Sequence, residues 1–516
     1  MHLTPTERAA VNERLDQLDD ALQEIAYEDH QLRLRLATLH AERVAILCHR
    51  NRILNNTNAL INALPTEILA HIFCLYVYHP VPSVPHKRAL ALSRICHRWR
   101  SVAVGTPMFW TYLDMREPAP FEKSCAYLER SSGSTLEVNI DLTDINRFSE
   151  RERRFMLNTL VPHLHRCRTF HLSAMIPEPF HIVLPRFATR PAPYLEECEI
   201  FYFADEREQQ TKGKGKESWI WENGGTDSEV DAFGGNAPNL RTLTISGLHV
   251  PWLHFNIGGL TSFGFDFHST DVWRSLRAFL DVLASSPNLR RLTVMQGGEG
   301  LRISPNWLAD DSSPVSRPIS GINNSFHRIS LPDLDELVYT FAETGLACDL
   351  ISLISSPAVR SLTMEYIKDD CAPLLELIAG PPALFPDLAH LRLVGLTSIA
   401  AGRMLHFLRG TGANVTSLHI NAVNCPTLKE IAFLVRWMAM ERREYLMPNL
   451  REVSSEGLSP RNLREMIQSR PEDIRPKTIT MRRRDWVVPD DECMQWLMEK
   501  VDVRFVEGSS DDEDDD

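Results

Sequence analysis

One phrase recurs along this chain: a proline, then apolar residues two, five and seven positions later. It stands as PYLEECEI at 193–200, PNLRTLTI at 238–245, PNLRRLTV at 287–294 and PDLDELVY at 332–339. Further copies are PAVRSLTM at 357–364, PDLAHLRL at 386–393 and the truncated PNLREVSS at 448–455. CRTFHL at 167–172 and ANVTSLHI at 413–420 are weaker relatives. Apolar residues that alternate within a copy dictate a short strand with one buried face. Helical stretches such as 275–286 and 404–412 lie between copies. No such unit buries its own apolar face, so neighbours must stack.

Stacked strand, turn, helix and return is the signature of a leucine-rich repeat array. Copies begin as little as 25 residues apart (332 to 357) and as much as 62 apart (386 to 448). The wider gaps therefore hold insertions or degenerate copies, and the expected fold over 116–505 is an irregular α/β solenoid. An α/β sandwich with one conventional core is the rival. The sevenfold recurrence of one strand phrase counts against it.

Before the repeats, residues 4–60 read as one long helix. Thr4, Pro5 and Glu7 supply a hydroxyl cap, a proline at the first helical position and an acid three residues after the cap. An apolar seam follows at alternating spacings of three and four: Val11, Leu15, Leu18, Leu22, Ile25, Leu32, Leu36, Leu39, Ile46, Ile53 and Leu60. Asp29, Arg43, Arg50 and Thr57 fill its remaining positions. A seven-residue repeat of this length predicts a coiled coil over 1–60, paired within the chain or between chains, the second of which would be self-association through 4–60. A single helix laid on the rest of the protein is the alternative.

Composition narrows the function. The chain has 516 residues, more than one core organises, so at least two domains are expected. Net charge is −13, from 55 basic and 68 acidic residues. Six of the negatives are residues 511–516, which leaves −7 elsewhere, and this balance disfavours nucleic acid as a partner. No apolar run is long enough to span a bilayer, so no membrane role is expected. The first thirty residues lack the apolar region of a secretory signal, which places the protein in the cytoplasm or nucleus. Its ten cysteines form no CxxC pair and are expected to be reduced.

Residues 61–115 change character, with two helical patterns around Pro80, Pro82 and Pro85. The first starts at Leu64, Pro65 and Glu67, and its expected buried face is Ile68, Leu69, Ile72, Phe73 and Tyr76. The second is expected over 88–103, presenting Leu92, Ile95, Cys96, Trp99 and Ala103, with Pro107, Phe109 and Trp110 as an apolar turn. The strings LPTEILAHIF at 64–73 and ALSRICHRWRSVAVGTPMFWTYLDM at 91–115 resemble an F-box, in the form common in large fungal families. The resemblance implies a helical module that docks on a Skp-type adaptor, and through it on a cullin. The chain would then be the substrate receptor of a ubiquitin ligase, with the repeats holding a protein substrate. The implied adaptor-binding residues are Leu64, Pro65, Glu67, Ile68, Leu69, Ile72, Phe73, Leu92, Ile95, Cys96, Trp99 and Trp110. The proline-rich connection is longer than the family's pattern.

Catalytic motifs are absent from the sequence, so no enzyme activity and no cofactor are expected. His163, His165, Cys167 and His171 alternate as if on one strand face. Cys167 falls at a core position of the repeat phrase, however, and ligands in a row do not converge on a tetrahedral ion. No metal is expected there. Residues 203–237, with Lys212, Lys214 and Lys216, read as a solvated insertion, as do Asp310 and Asp311. Residues 506–516 read as a disordered acidic tail, with Ser509 and Ser510 at its start. A coiled-coil and repeat scaffold without a role in degradation is the other reading of the whole.

Overall fold

The computed structural model describes residues 5–58, 60–78, 85–203, 232–248, 257–267, 272–296, 328–340, 344–367, 370–380, 383–396, 401–421, 447–483 and 491–506. Nearly all of the insertion at 203–237, Asp310, Asp311, Pro80, Pro82, Ser509, Ser510 and the tail beyond Val506 lie outside them. The chain divides into two compact units, Met1–Trp110 and Thr111–Asp516.

The first unit is helical. It opens with α1, Pro5–Asn58, a single helix of 54 residues, as the seam predicts. A 3-10 turn, Leu60–Ala63, leads to α2, Thr66–Val77. After it come α3, Pro85–Ser93, α4, His97–Val104, and a 3-10 turn at Pro107–Trp110. The single helix expected over 88–103 is therefore two. Cys96 causes the break: its backbone is extended, and its Sγ accepts the Trp99 N–H at 3.5 Å, capping α4. The Ser93 carbonyl at the end of α3 is satisfied by Arg100 Nε at 2.8 Å, so neither new helix end is left bare.

The second unit is α/β and is built on one 14-stranded sheet. Its strands are β1 (Tyr112–Leu113), β2 (Leu136–Leu142), β3 (Cys167–Ala174), β4 (Glu197–Tyr202), β5 (Thr242–Ser246), β6 (Ser262–Phe267) and β7 (Arg291–Gln296). The short β8 (Ile329–Ser330) and β10 (Ile354–Ser355) pair only with each other. The main sheet continues through β9 (Glu336–Thr340), β11 (Ser361–Glu365), β12 (His390–Val394), β13 (Ser417–Asn421), β14 (Glu452–Glu456), β15 (Thr478–Arg482) and β16 (Asp502–Val506). Spatial order follows chain order from β1 to β16. Every pairing is parallel.

The recurring phrase explains this register. In six full copies the leucine or valine at offset two donates its N–H to the carbonyl three residues back. Leu195 to Ala192, Leu240 to Ala237 and Leu289 to Ser286 are examples. The proline thus sits at the second position of a tight turn, where its fixed φ is already suitable. From β4 to β14, one carbonyl at the strand entry then accepts two N–H groups from the next strand: Glu196 from Arg241 and Thr242, and Arg360 from Ala389 and His390. Asparagine at the phrase's second position adds a rung, donating to the neighbouring turn: Asn239 to Pro193 O at 2.8 Å, Asn414 to Pro386 O at 2.8 Å and Asn449 to Ala413 O at 2.9 Å. At the exit of β5, Gly247 takes φ +74, and a Cβ there would lie 2.0 Å from the Tyr202 carbonyl oxygen. Only glycine fits such a corner.

In-step pairing lines up the phrase's apolar positions into ladders. Cys198, Leu243, Phe263, Leu292, Leu337, Leu362, Leu391, Leu418, Val453 and Ile479 are consecutive partners, all buried. Helices cover this face: Phe279 and Leu283 from Val272–Ser285, Leu374 and Ile378 from Ala372–Ala379, and Leu463 and Ile467 from Pro460–Gln468 are buried. The other face carries the polar residues between them, including His171, Glu199, Thr244, Thr363, Arg392, His419 and Ser454.

Candidate functional site

Helix α2 follows Leu64 and Pro65, and the Pro65 carbonyl accepts the Leu69 N–H at 3.0 Å. Leu69, Phe73 and Val77, four residues apart, are buried. Phe73 lies 4.7 Å from the Trp99 ring of α4, tilted at 53°. Trp110 is fully buried, and its Nε1 donates to Ala103 O at 2.9 Å. Arg98 donates to the Leu64 carbonyl. Arg88, which sequence reasoning missed, is 8% exposed and donates to Tyr76 O at 3.1 Å and Val77 O at 3.3 Å. It closes the C-terminal end of α2, where a cation is favoured. No sequence spacing shows this role, because it depends on how α3 is placed against the end of α2.

The apolar arc of α2 is wider than the face this packing covers. Ile68 is 50% exposed, Ile72 38% and Leu75 63%. Spacings of four and three put them on one stripe beside the buried one. Tyr76 is exposed on the same side, and Ile95 is 58% exposed in the turn before α4. Ile68, Ile72 and Tyr76 were expected in the buried face. They are not, because only the arc through Leu69, Phe73 and Val77 meets α3 and α4.

The twelve residues expected to meet an adaptor therefore separate by position. Leu69, Phe73, Leu92 and Trp110 are interior and support the module rather than present it. Leu64, Cys96 and Trp99 are half-buried. Pro65, Glu67, Ile68, Ile72 and Ile95 are exposed. Leu75 belongs with the exposed stripe, and its spacing from Ile68 and Ile72 was the signal that could have found it.

The histidine cluster does not form. His163 and His165 sit in a 3-10 turn, Val161–Arg166, while Cys167 points into the core of β3 and His171 to the open face. A register shift between Leu136 and Glu137, opposite this stretch, breaks the expected alternation. Burial pushes the Cys167 thiol up to about 12, so it is an unreactive apolar group. His171 instead faces Glu197 Oε1 at 3.6 Å and Glu199 Oε2 at 3.8 Å. Burial raises the Glu199 carboxyl, and Glu197 adds to the effect, against the pull of His171. These three are the described residues best placed to hold a cation, with ligand atoms within 4.8 Å of one another. At these distances the imidazole sits between the two carboxylates without a hydrogen bond to either.

Elsewhere the open face carries cross-strand ion pairs. Arg392 Nε meets Glu365 Oε1 at 2.8 Å, and Arg482 Nη2 meets Glu456 Oε2 at 3.1 Å. Such half-exposed pairs add little stability; they give the surface a fixed pattern of charge.

No described helix is long and apolar enough to cross a membrane. Among curated proteins, none matches the chain. Residues 61–116, which take in the exposed stripe of α2 and its supporting core, match the F-box-like family model. The chain carries an F-box-like domain, which in general suggests the role of a substrate adaptor in ubiquitin ligation.

Proposed function

We propose that this protein is the substrate-receptor subunit of a Skp–cullin–F-box ubiquitin ligase. The observation that carries the reading is the bare apolar stripe of α2 within the matched segment. An apolar patch on an otherwise well-packed helical module marks a binding face. Pro65, Ile68, Ile72, Leu75 and Ile95 form the adaptor-binding surface, with Leu64, Cys96 and Trp99 at its margin. Leu69, Phe73, Leu92 and Trp110 hold it in shape. Covering each exposed isoleucine contributes about 1–2 kcal/mol to docking.

The second unit is read as an irregular leucine-rich-repeat solenoid whose open strand face holds the substrate protein. The sequential parallel sheet and the recurring turn support this. The chain itself does no bond chemistry. It raises the local concentration of substrate near a ubiquitin-carrying partner, a gain that needs no catalytic side chain. The cytoplasm or nucleus is where such a complex works.

The test is co-purification of the full chain with a Skp-type adaptor. Ile68→Asp with Ile72→Asp should abolish capture while thermal unfolding stays within about 1 kcal/mol of wild type. Capture that survives this double change, with the fold intact, would overturn the assignment of the face. A well-folded wild type that binds no Skp-type adaptor would overturn the ligase reading.

A further inference from the structure

Helix α1 is exposed along nearly its whole described length. Every described side chain from Val11 to Leu54 is exposed, including the whole apolar seam. A helix of 54 residues extends about 80 Å at 1.5 Å per residue. Leaving a stripe of that length in water is unfavourable, and a heptad seam is what a partner helix covers.

The seam has two rows. One is apolar throughout: Val11, Leu18, Ile25, Leu32, Leu39, Ile46 and Ile53. The other, Leu15, Leu22, Asp29, Leu36, Arg43 and Arg50, carries three charges. Charge is also divided along the helix. From Val11 to Asp29 every charged side chain but Arg14 is acidic, and from His30 to Leu54 every formally charged one but Glu42 is basic.

We propose that α1 pairs with the α1 of a second copy of this chain, antiparallel, as a two-stranded coiled coil. The charge pattern fixes both the occupant and the direction. In a parallel pair each seam residue meets its own copy, so Asp29 faces Asp29, Arg43 faces Arg43 and Arg50 faces Arg50. Like charges forced together in a seam are strongly unfavourable. Turned around, the acidic half of one helix lies along the basic half of the other. With Leu36 opposite Leu39 of the second copy, Asp29 is opposite Ile46 and Arg43 opposite Leu32. Each Asp29 then lies between the Arg43 and Arg50 layers of the second copy. In the single helix, among the described residues, Asp29 pairs with Arg33 at 2.9 Å, and both side chains are exposed. The antiparallel seam replaces that weak contact with two arginines.

This pairing is independent of the adaptor reading, because α1 lies outside the residues matched by the F-box-like model. It is tested on the full chain alone, by sedimentation or light scattering at micromolar concentration. Wild type should be a dimer that weakens with salt. Asp29→Arg should raise the dissociation constant at least tenfold, as should Arg43→Asp combined with Arg50→Asp. The triple swap, Asp29→Arg with Arg43→Asp and Arg50→Asp, should restore the dimer. A parallel seam would keep all its like-charge layers in the triple swap, so failure of the swap to rescue overturns the antiparallel arrangement. A monomeric wild type overturns the pairing itself. So does a dimer that survives Leu18→Ser with Leu32→Ser and Leu39→Ser.

Discussion

Helix α2 and the strands of the sheet are both amphipathic, but they use their apolar residues differently. In the strands the apolar set ends where the burial ends: the ladder from Cys198 to Ile479 is covered, and its alternates are polar except Gly264 and Val338, the latter itself buried. In α2 the apolar set runs past the buried arc, leaving Ile68, Ile72 and Leu75 uncovered. The strands therefore spend their hydrophobicity inside their own unit, whereas α2 holds part of it in reserve. Surplus apolar surface on a small packed module is the kind another chain can cover, whereas a polar strand face offers a partner only charge and shape.

That contrast is sharpest at Trp110 and Ile68, which fall in the same matched segment. Trp110→Ala should cost about 3–5 kcal/mol, because it empties a fully buried site and removes the Nε1 hydrogen bond to the Ala103 carbonyl. Ile68→Ala should cost well under that. Chemical denaturation followed by helical signal measures both, and equal costs would erase the distinction between supporting and presenting residues.

A smaller effect tests whether the open strand face is built for neutral or charged groups. His419 shares a hydrogen bond of 2.8 Å with Ser454 Oγ, and burial, with Arg392 and Arg482 nearby, lowers its pKa to about 4 against the pull of Glu365. The unfolded chain binds that proton near 6.5 while the folded chain does not. Stability should therefore be full above about pH 6.5 and fall as pH drops towards 4. The loss is on the order of 1–2 kcal/mol once the ring's contact with water is discounted. His419→Gln should flatten that part of the pH profile of thermal unfolding; an unchanged profile would show that the ring takes its proton freely.

The smallest effect concerns the turns. Asn449→Ala removes the rung to Ala413 O and should cost about 1 kcal/mol. Asn288→Ala, at a copy where the described residues show no such rung, should cost less. Equal losses would mean that the asparagine serves its own turn and not its neighbour's.

Much of this architecture was legible in the sequence because the repeat phrase carries its own turn. Seven copies and two weaker relatives all became strands of the main sheet. What escaped were strands whose turns are made differently. Before β6 the proline is replaced by Gly258 and Gly259, the latter at φ +83, and Leu260 donates to Ser286 Oγ instead of a carbonyl three back. In β2, β15 and β16 the apolar spacing is present without the full phrase. Within the F-box-like segment the apolar residues stand out in the sequence as a set, but not which of them face outward. A helix with an apolar arc wider than its core looks the same on paper as one that is wholly buried, and only the packing of α3 and α4 decides.

The shared carbonyl at the strand entries from β4 to β14 has a consequence for how such a molecule changes over time. Because the alignment of neighbouring strands is decided within the turn, the length of chain between two turns is free to vary. Intervals of 25 residues, from the turn of β9 to that of β11, and of 45, from that of β4 to that of β5 and from that of β7 to that of β9, feed the same in-step sheet. New segments can be spliced between copies without slipping any strand, so one edge of the molecule is open to invention while the rest stays in place.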